Sequence, residues 1–227
     1  MSVPCPIVFD LDGTLIDSAP DIHACVNTVL RENAVTPLPL DRVRSFVGGG
    51  VELLWSRIIA ARGLDPADRP VLIAAFMARY HDATALTRLY PGAAEALAAL
   101  ADLGHPMGIC TNKPLAATRN VLAHFGLTGF FGAVIGGDSL PQKKPHPAPL
   151  HATFAALGAE DAAAAGLFVG DSEFDAGCAA AASVPFLLFT GGYRHTPVEQ
   201  MAHEASFSDF SQLVRLVLEM RPRVPAG

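Results

Sequence analysis

Charged residues are scarce in this 227-residue chain, at 17%, and Lys+Arg 16 against Asp+Glu 22 leave a net charge of −6. No basic run stands out, which argues against a nucleic-acid partner. Long hydrophobic runs are missing as well. The most apolar stretch, Cys178–Phe189, is broken by Ser183 and Pro185 and is too short to span a bilayer. The first six residues, Met1-Ser2-Val3-Pro4-Cys5-Pro6, lack the basic head and apolar stretch of a signal peptide. A cytoplasmic protein with no membrane partner is expected. Cysteines number only four, Cys5, Cys25, Cys110 and Cys178, and no two make a C-x-x-C. A disulfide framework or zinc site is therefore not expected, and reduced, mostly buried thiols are. Repeats are absent too; Ala162–Ala165 and Ala179–Ala182 are merely Ala-rich. With 51% hydrophobic residues the chain is not disordered and suffices for one core, or for one core plus a small inserted domain.

What does recur is a short apolar run that ends on a polar residue. Pro6–Phe9 leads into Asp10, Met107–Cys110 into Thr111, Ala133–Ile135 into Gly136-Gly137-Asp138, Leu167–Val169 into Gly170-Asp171, and Pro185–Phe189 into Thr190. Such runs, short and without alternation, fit strands buried on both faces. Helical stripes lie between them, for example Leu115, Thr118, Val121, Leu122 and Phe125, and again Phe210, Leu213, Val214 and Val217. This alternation predicts an α/β fold, a Rossmann-like parallel sheet core whose polar strand ends collect at one edge. Residues 17–87 break the rhythm, because only helical patterns occur there. Ser18-Ala19-Pro20-Asp21 reads as a capping box with an early proline. The helix it opens has an inner face of Ile22, Val26, Val29 and Leu30; Val51, Leu54, Trp55 and Ile58 form a second stripe, and Val71, Leu72, Ala75 and Phe76 a third. The expected organisation is a core of residues 1–16 and 88–227 with an inserted all-helical cap at 17–87. The tail, Arg221–Gly227, is expected to fray.

The sharpest chemical signal is Asp10-Leu11-Asp12-Gly13-Thr14, directly after a strand. Residues i and i+2 of extended chain point the same way, so both carboxylates face one cavity, where their repulsion favours a bound cation or a shared proton. Thr111-Asn112-Lys113-Pro114 offers a hydroxyl and backbone N–H groups to phosphate oxygens, or else a plain helix N-cap. Gln142-Lys143-Lys144-Pro145 supplies cations ahead of a helix, or else a solvated loop. Asp171 and Asp175, in Gly170-Asp171-Ser172-Glu173-Phe174-Asp175, are strand-end carboxylates or helix-capping groups.

This ordered set resembles the motifs of the haloacid dehalogenase-like hydrolases over roughly residues 5–20 and 88–195. Leu15–Asp21, Tyr90-Pro91-Gly92, Cys110–Pro114 and Lys143–Pro147 resemble phosphoglycolate phosphatases in particular. The resemblance implies a Mg²⁺-dependent phosphatase acting on a small phosphorylated metabolite, most closely 2-phosphoglycolate. It implies Asp10 as nucleophile and Asp12 as acid and then base. The metal would be held by the Asp10 side chain, the Asp12 backbone carbonyl and Asp171, with Asp175 orienting Lys144 or a water. Thr111, Asn112 and Lys144 would bind phosphate. Two departures stand out: Glu173-Phe174 occupies a place where many relatives carry Arg-Asn, and Lys144 is chosen over Lys143 by its position before Pro145. Phe46-Val47-Gly48-Gly49-Gly50 matches no nucleotide fingerprint, and its N–H groups would suit either a small carboxylate or a helix–helix turn. Trp55 is expected in the core of the insert, and Arg194 and His195 stand at a strand end without a role. The alternatives are a beta-phosphoglucomutase-like sugar-phosphate mutase and a receiver-like phospho-switch. A monomer or homodimer is expected.

Overall fold

The computed structural model describes residues 4–159 and 166–220; Ala162–Ala165, the tail Arg221–Gly227 and residues 1–3 lie outside that description. The chain begins β1 (Ile7–Phe9), β2 (Ile16–Asp17), α1 (Ala19–Glu32), α2 (Leu40–Arg44), α3 (Val51–Arg62), α4 (Arg69–Tyr80), β3 (Arg88–Leu89) and α5 (Ala93–Asp102). It continues β4 (Met107–Cys110), α6 (Leu115–His124), β5 (Ala133–Ile135), α7 (Ala148–Ala156), β6 (Leu167–Gly170), α8 (Glu173–Ala182), β7 (Phe186–Phe189), β8 (Ala205–Phe207) and α9 (Leu213–Glu219). Six strands make one parallel sheet in the order β5-β4-β1-β6-β7-β8, with β1 near the middle.

The strands alternate between two cores because successive side chains leave opposite faces. Ile7, Phe9, Ile109, Val169 and Leu187 face α5 and α9, whereas Val8, Cys110, Phe168 and Leu188 face α7 and α8. All four cysteines are buried and unbridged. Register then positions the polar ends. Phe9 pairs with both Ile109 and Val169, so Asp10, Thr111 and Asp171 leave the sheet at the same edge. The five apolar runs became β1, β4, β5, β6 and β7; β8, with only Phe207 of its three residues buried, lacked such a run.

Helices α1–α4 are inserted between β2 and β3, which pair antiparallel as a two-stranded ribbon, Asp17 opposite Arg88. The insert has a core of its own, including Val26, Leu30, Ile58 and Phe76 around Trp55, which is fully buried and edge-on to Phe76 at 6.0 Å. Two local expectations fail here. Val71 is 71% exposed, because α4 buries Leu72, Phe76 and Tyr80, a stripe of spacing four that leaves Val71 outside. The capping box does not form either: Ser18 has a helical conformation and makes no side-chain cap. Its hydroxyl donates instead to Asp12 at 2.6 Å, and Asp21 accepts from the Leu86 and Thr87 backbone and the Thr87 hydroxyl. Long-range partners outcompete the local cap, and Asp21 ties the returning linker to α1. Among the described residues no helix is long and apolar enough to cross a membrane.

Candidate active site

At the carboxyl edge of the sheet, β1 continues its pairing into Asp10, whose N–H donates to the Val169 carbonyl at 2.9 Å. Asp10 Oδ1 lies 2.8 Å from Lys144 Nζ, and Lys144 Nζ also lies 2.6 Å from Asp175 Oδ1. The other Asp175 oxygen accepts from the Ser172 hydroxyl and from the Asp171 and Ser172 N–H groups, closing the first turn of α8. Both readings of Asp175 therefore hold at once: it caps a helix and orients Lys144. Asp171 is clamped by the Thr14 hydroxyl at 2.7 Å and the Tyr193 N–H at 2.6 Å. Glycine is needed on both sides of it. A Cβ on Gly13, at φ +87°, would sit 2.5 Å from Asp171 Oδ2, and one on Gly192 would sit 2.2 Å away. Asp10, Asp171 and Asp175 each bring an oxygen within 4.8 Å of the others.

Asp12 faces the same cleft as Asp10, yet its carboxylate has other partners: Ser18 Oγ at 2.6 Å and Lys113 Nζ at 3.2 Å. Its carboxylate stands outside the group formed by Asp10, Asp171 and Asp175. Lys113 Nζ in turn meets the hydroxyl of Tyr80, the last residue of α4, and lies 4.2 Å over that ring. Thr111 does not cap α6. That helix starts at Leu115, whose N–H donates to Asp138, while Thr111 Oγ1 accepts from Lys113 N–H and lines the cleft. Asn112 lines the cleft, and its side chain is engaged within the protein: its amide donates to the Gly48 and Lys144 carbonyls and its oxygen accepts from Lys144 N–H, all at 3.0 Å.

Residues 7–189 match the haloacid dehalogenase-like hydrolases. The chain belongs to that family. It is 51% identical to a phosphoglycolate phosphatase of Cereibacter sphaeroides (strain ATCC 17029 / ATH 2.4.9), covering 93% of this chain and 96% of that one. A phosphoglycolate phosphatase of Rhodobacter capsulatus is 44% identical, with 93% and 95% covered. Among solved structures, a predicted phosphoglycolate phosphatase from Haemophilus somnus 129pt superposes with a TM-score of 0.89 at 30% identity, covering 96% of this chain and 99% of that one.

In this haloacid dehalogenase-like hydrolase the electrostatics follow from three neighbouring carboxylates, two of which, Asp10 and Asp175, share one ammonium. Burial pushes the Asp10 carboxyl up to about 7; Asp175 adds to that and Lys144 opposes it. Burial, then Asp175 and Asp10, raise Asp171 well above the usual carboxylate range, against the hydrogen bonds from Tyr193 and Thr14. Burial by itself would lower the Lys144 ammonium, but Asp10 and Asp175 hold it well above the lysine range. The cluster is short of positive charge. Asp10 Oδ1, though close to Lys144, is buried with no aligned hydrogen-bond donor. A hard divalent cation fits both the charge deficit and that oxygen.

The remaining candidates sit around the rim. Phe174 lies against Gly48 and Gly49, so that a Cβ on either glycine would come 3.1 Å from its ring; this aromatic covers the insert's loop. Glu173 accepts from His195 N–H, and His195 Nε2 lies 2.8 Å from the Ser45 carbonyl of the insert. The Arg194 guanidinium donates back to the Thr190 carbonyl. Sequence reasoning missed Tyr193, Tyr80 and the charge of Lys113. Lys113 was visible as a cation two places after Thr111; nothing local marked the two tyrosines.

Proposed function

We propose that this chain is a Mg²⁺-dependent phosphatase that hydrolyses 2-phosphoglycolate to glycolate and phosphate through an aspartyl phosphate on Asp10. One observation carries the chemistry: two carboxylates line one cleft with different partners. Such a pair divides the labour of nucleophile and proton carrier. The kinship with phosphoglycolate phosphatases supports the substrate.

Asp10 attacks phosphorus, and the bond from phosphorus to the ester oxygen breaks. Asp12 gives that oxygen a proton and later takes one from the water that cleaves the acyl phosphate, a role worth roughly 10²–10⁴-fold. Lys144, held between Asp10 and Asp175, and the Thr111 hydroxyl face the shifting negative charge of the phosphoryl oxygens. Asn112 acts one step removed, holding the Lys144 backbone. Asp10, Asp171 and the Asp12 carbonyl would hold Mg²⁺, which when bound offsets the repulsion between a carboxylate and a phosphate dianion. The helical insert works as a cap over this cleft, to which it contributes Gly48, Leu54 and Phe76.

A panel of phosphate esters decides the matter. With Mg²⁺, 2-phosphoglycolate is expected among the best by kcat/KM, with release of inorganic phosphate and no isomerised product. EDTA stops turnover, and Asp10→Asn abolishes it while the fold persists. Activity in Asp10→Asn refutes the nucleophile, and a hexose phosphate as the preferred substrate refutes the glycolate reading.

A further inference from the structure

The cleft has two ends of different character. Its floor is Asp10 and Thr111; its roof is apolar, with Ile22, Val51, Leu54 and Phe76 from the insert. Among the described residues lining it, Lys113 alone is cationic. The Lys113 side chain is 1% exposed, and burying an ammonium is costly unless it is paired. Holding Asp12 in place does not require that charge, because the neutral Ser18 hydroxyl already donates to the same Asp12 oxygen at 2.6 Å. Nor is Lys113 a second phosphate clamp, because it sits beside Asp12 and not beside Asp10. An ammonium has three N–H donors. Asp12 and the Tyr80 hydroxyl take two, which leaves one for an incoming acceptor.

We propose that Lys113 is the specificity residue that recognises the carboxylate of the substrate, with Tyr80 from the insert as the residue that aims it. The assignment rests on the glycolate reading above and names the group that enforces it. Asp12 stands at the leaving oxygen, and in 2-phosphoglycolate one methylene separates that oxygen from the carboxylate. The carboxylate therefore arrives next to the atom that flanks Asp12, and that atom is Lys113 Nζ, 3.2 Å and 3.5 Å from the two Asp12 oxygens. The apolar roof excludes water from the pair, which strengthens it. Tyr80, beneath the ammonium and bonded to it, makes recognition depend on the insert being seated.

The test compares kcat/KM for 2-phosphoglycolate, its uncharged amide 2-phosphoglycolamide, and ethyl phosphate, in the wild type and in Lys113→Met. The wild type is expected to favour the acid over both esters that lack the carboxylate. In Lys113→Met that preference collapses by at least about 30-fold, the scale for truncating one partner of a buried charge pair, while Lys113→Arg keeps most of it. If all three substrates slow by the same factor, Lys113 acts through Asp12 alone and the assignment is overturned. An undiminished preference overturns it as well. A wild type that treats acid and amide alike removes the glycolate reading first, before any variant is made. Melting curves verify folding; should Lys113→Met not fold, Lys113→Gln is read by the same ratios.

Discussion

Replacing Asn112 by Ala separates building the site from gripping the substrate. The side chain makes three hydrogen bonds of 3.0 Å, two to the Lys144 backbone and one to the Gly48 carbonyl. It is only 6% exposed, so water does not replace them. At about 1 kcal/mol net for each, the loss is about 3 kcal/mol. For a chain of this size each kcal/mol moves the melting temperature by about 2–4 °C, so a fall of about 6–12 °C is expected. Thermal unfolding followed by circular dichroism, without substrate or metal, reads it directly. Turnover is expected to drop at least about tenfold, because a freed Lys144 backbone lets the ammonium drift from Asp10. A variant that melts within about 2 °C of the wild type while losing activity would show that Asn112 touches substrate and holds nothing, and would refute the positioning role.

Two further outcomes follow from neighbouring contacts. Tyr193→Phe removes the hydroxyl that accepts from Ser18 and Ala19 N–H and donates to Asp17; Ala19 N–H keeps Asp17 Oδ1 at 3.3 Å, so one buried donor, Ser18 N–H, is left bare at about 1–3 kcal/mol. Calorimetric Mg²⁺ affinity is expected to change less than stability, because the variant's backbone N–H still holds Asp171; a collapse in affinity without a drop in melting would contradict this. The raised Asp10 value makes stability depend on pH. The folded metal-free chain holds that proton more tightly than the unfolded chain, so its contribution is present below the ordinary value of 3.8 and is lost as pH rises through about 7. In EDTA, the stability of the wild type relative to Asp10→Asn is expected to fall across that window, by a few kcal/mol. A relative stability that rises with pH reverses the sign and defeats the reasoning.

Local sequence carried a great deal. Strand runs such as Pro6–Phe9 and Leu167–Val169 were legible because a strand buried on both faces needs uninterrupted apolar residues. The polar residue that ends each run followed from the parallel topology, which delivers all those ends to one edge. Asp10, Asp12 and Asp171 could thus be named from neighbours in the chain. Val71 was misjudged because a stripe on a short helix admits more than one face until a partner surface chooses, and that surface here is Trp55 and its neighbours.

What sequence alone determined was the set of chemical groups and their order: acidic pair, hydroxyl, lysine, acidic pair, and an insertion after the first of them. What only tertiary structure decided was which partner each group takes. Ser18 serves Asp12 and not its own helix, the Asn112 side chain holds the Lys144 backbone, and Tyr193 joins the base of the insert to Asp171. The Lys113–Asp12 pair spans 101 residues and the Tyr193–Ser18 bond spans 175. Periodicity and turn chemistry reach only a few residues along the chain, whereas a buried polar atom is satisfied by whatever the fold brings alongside it.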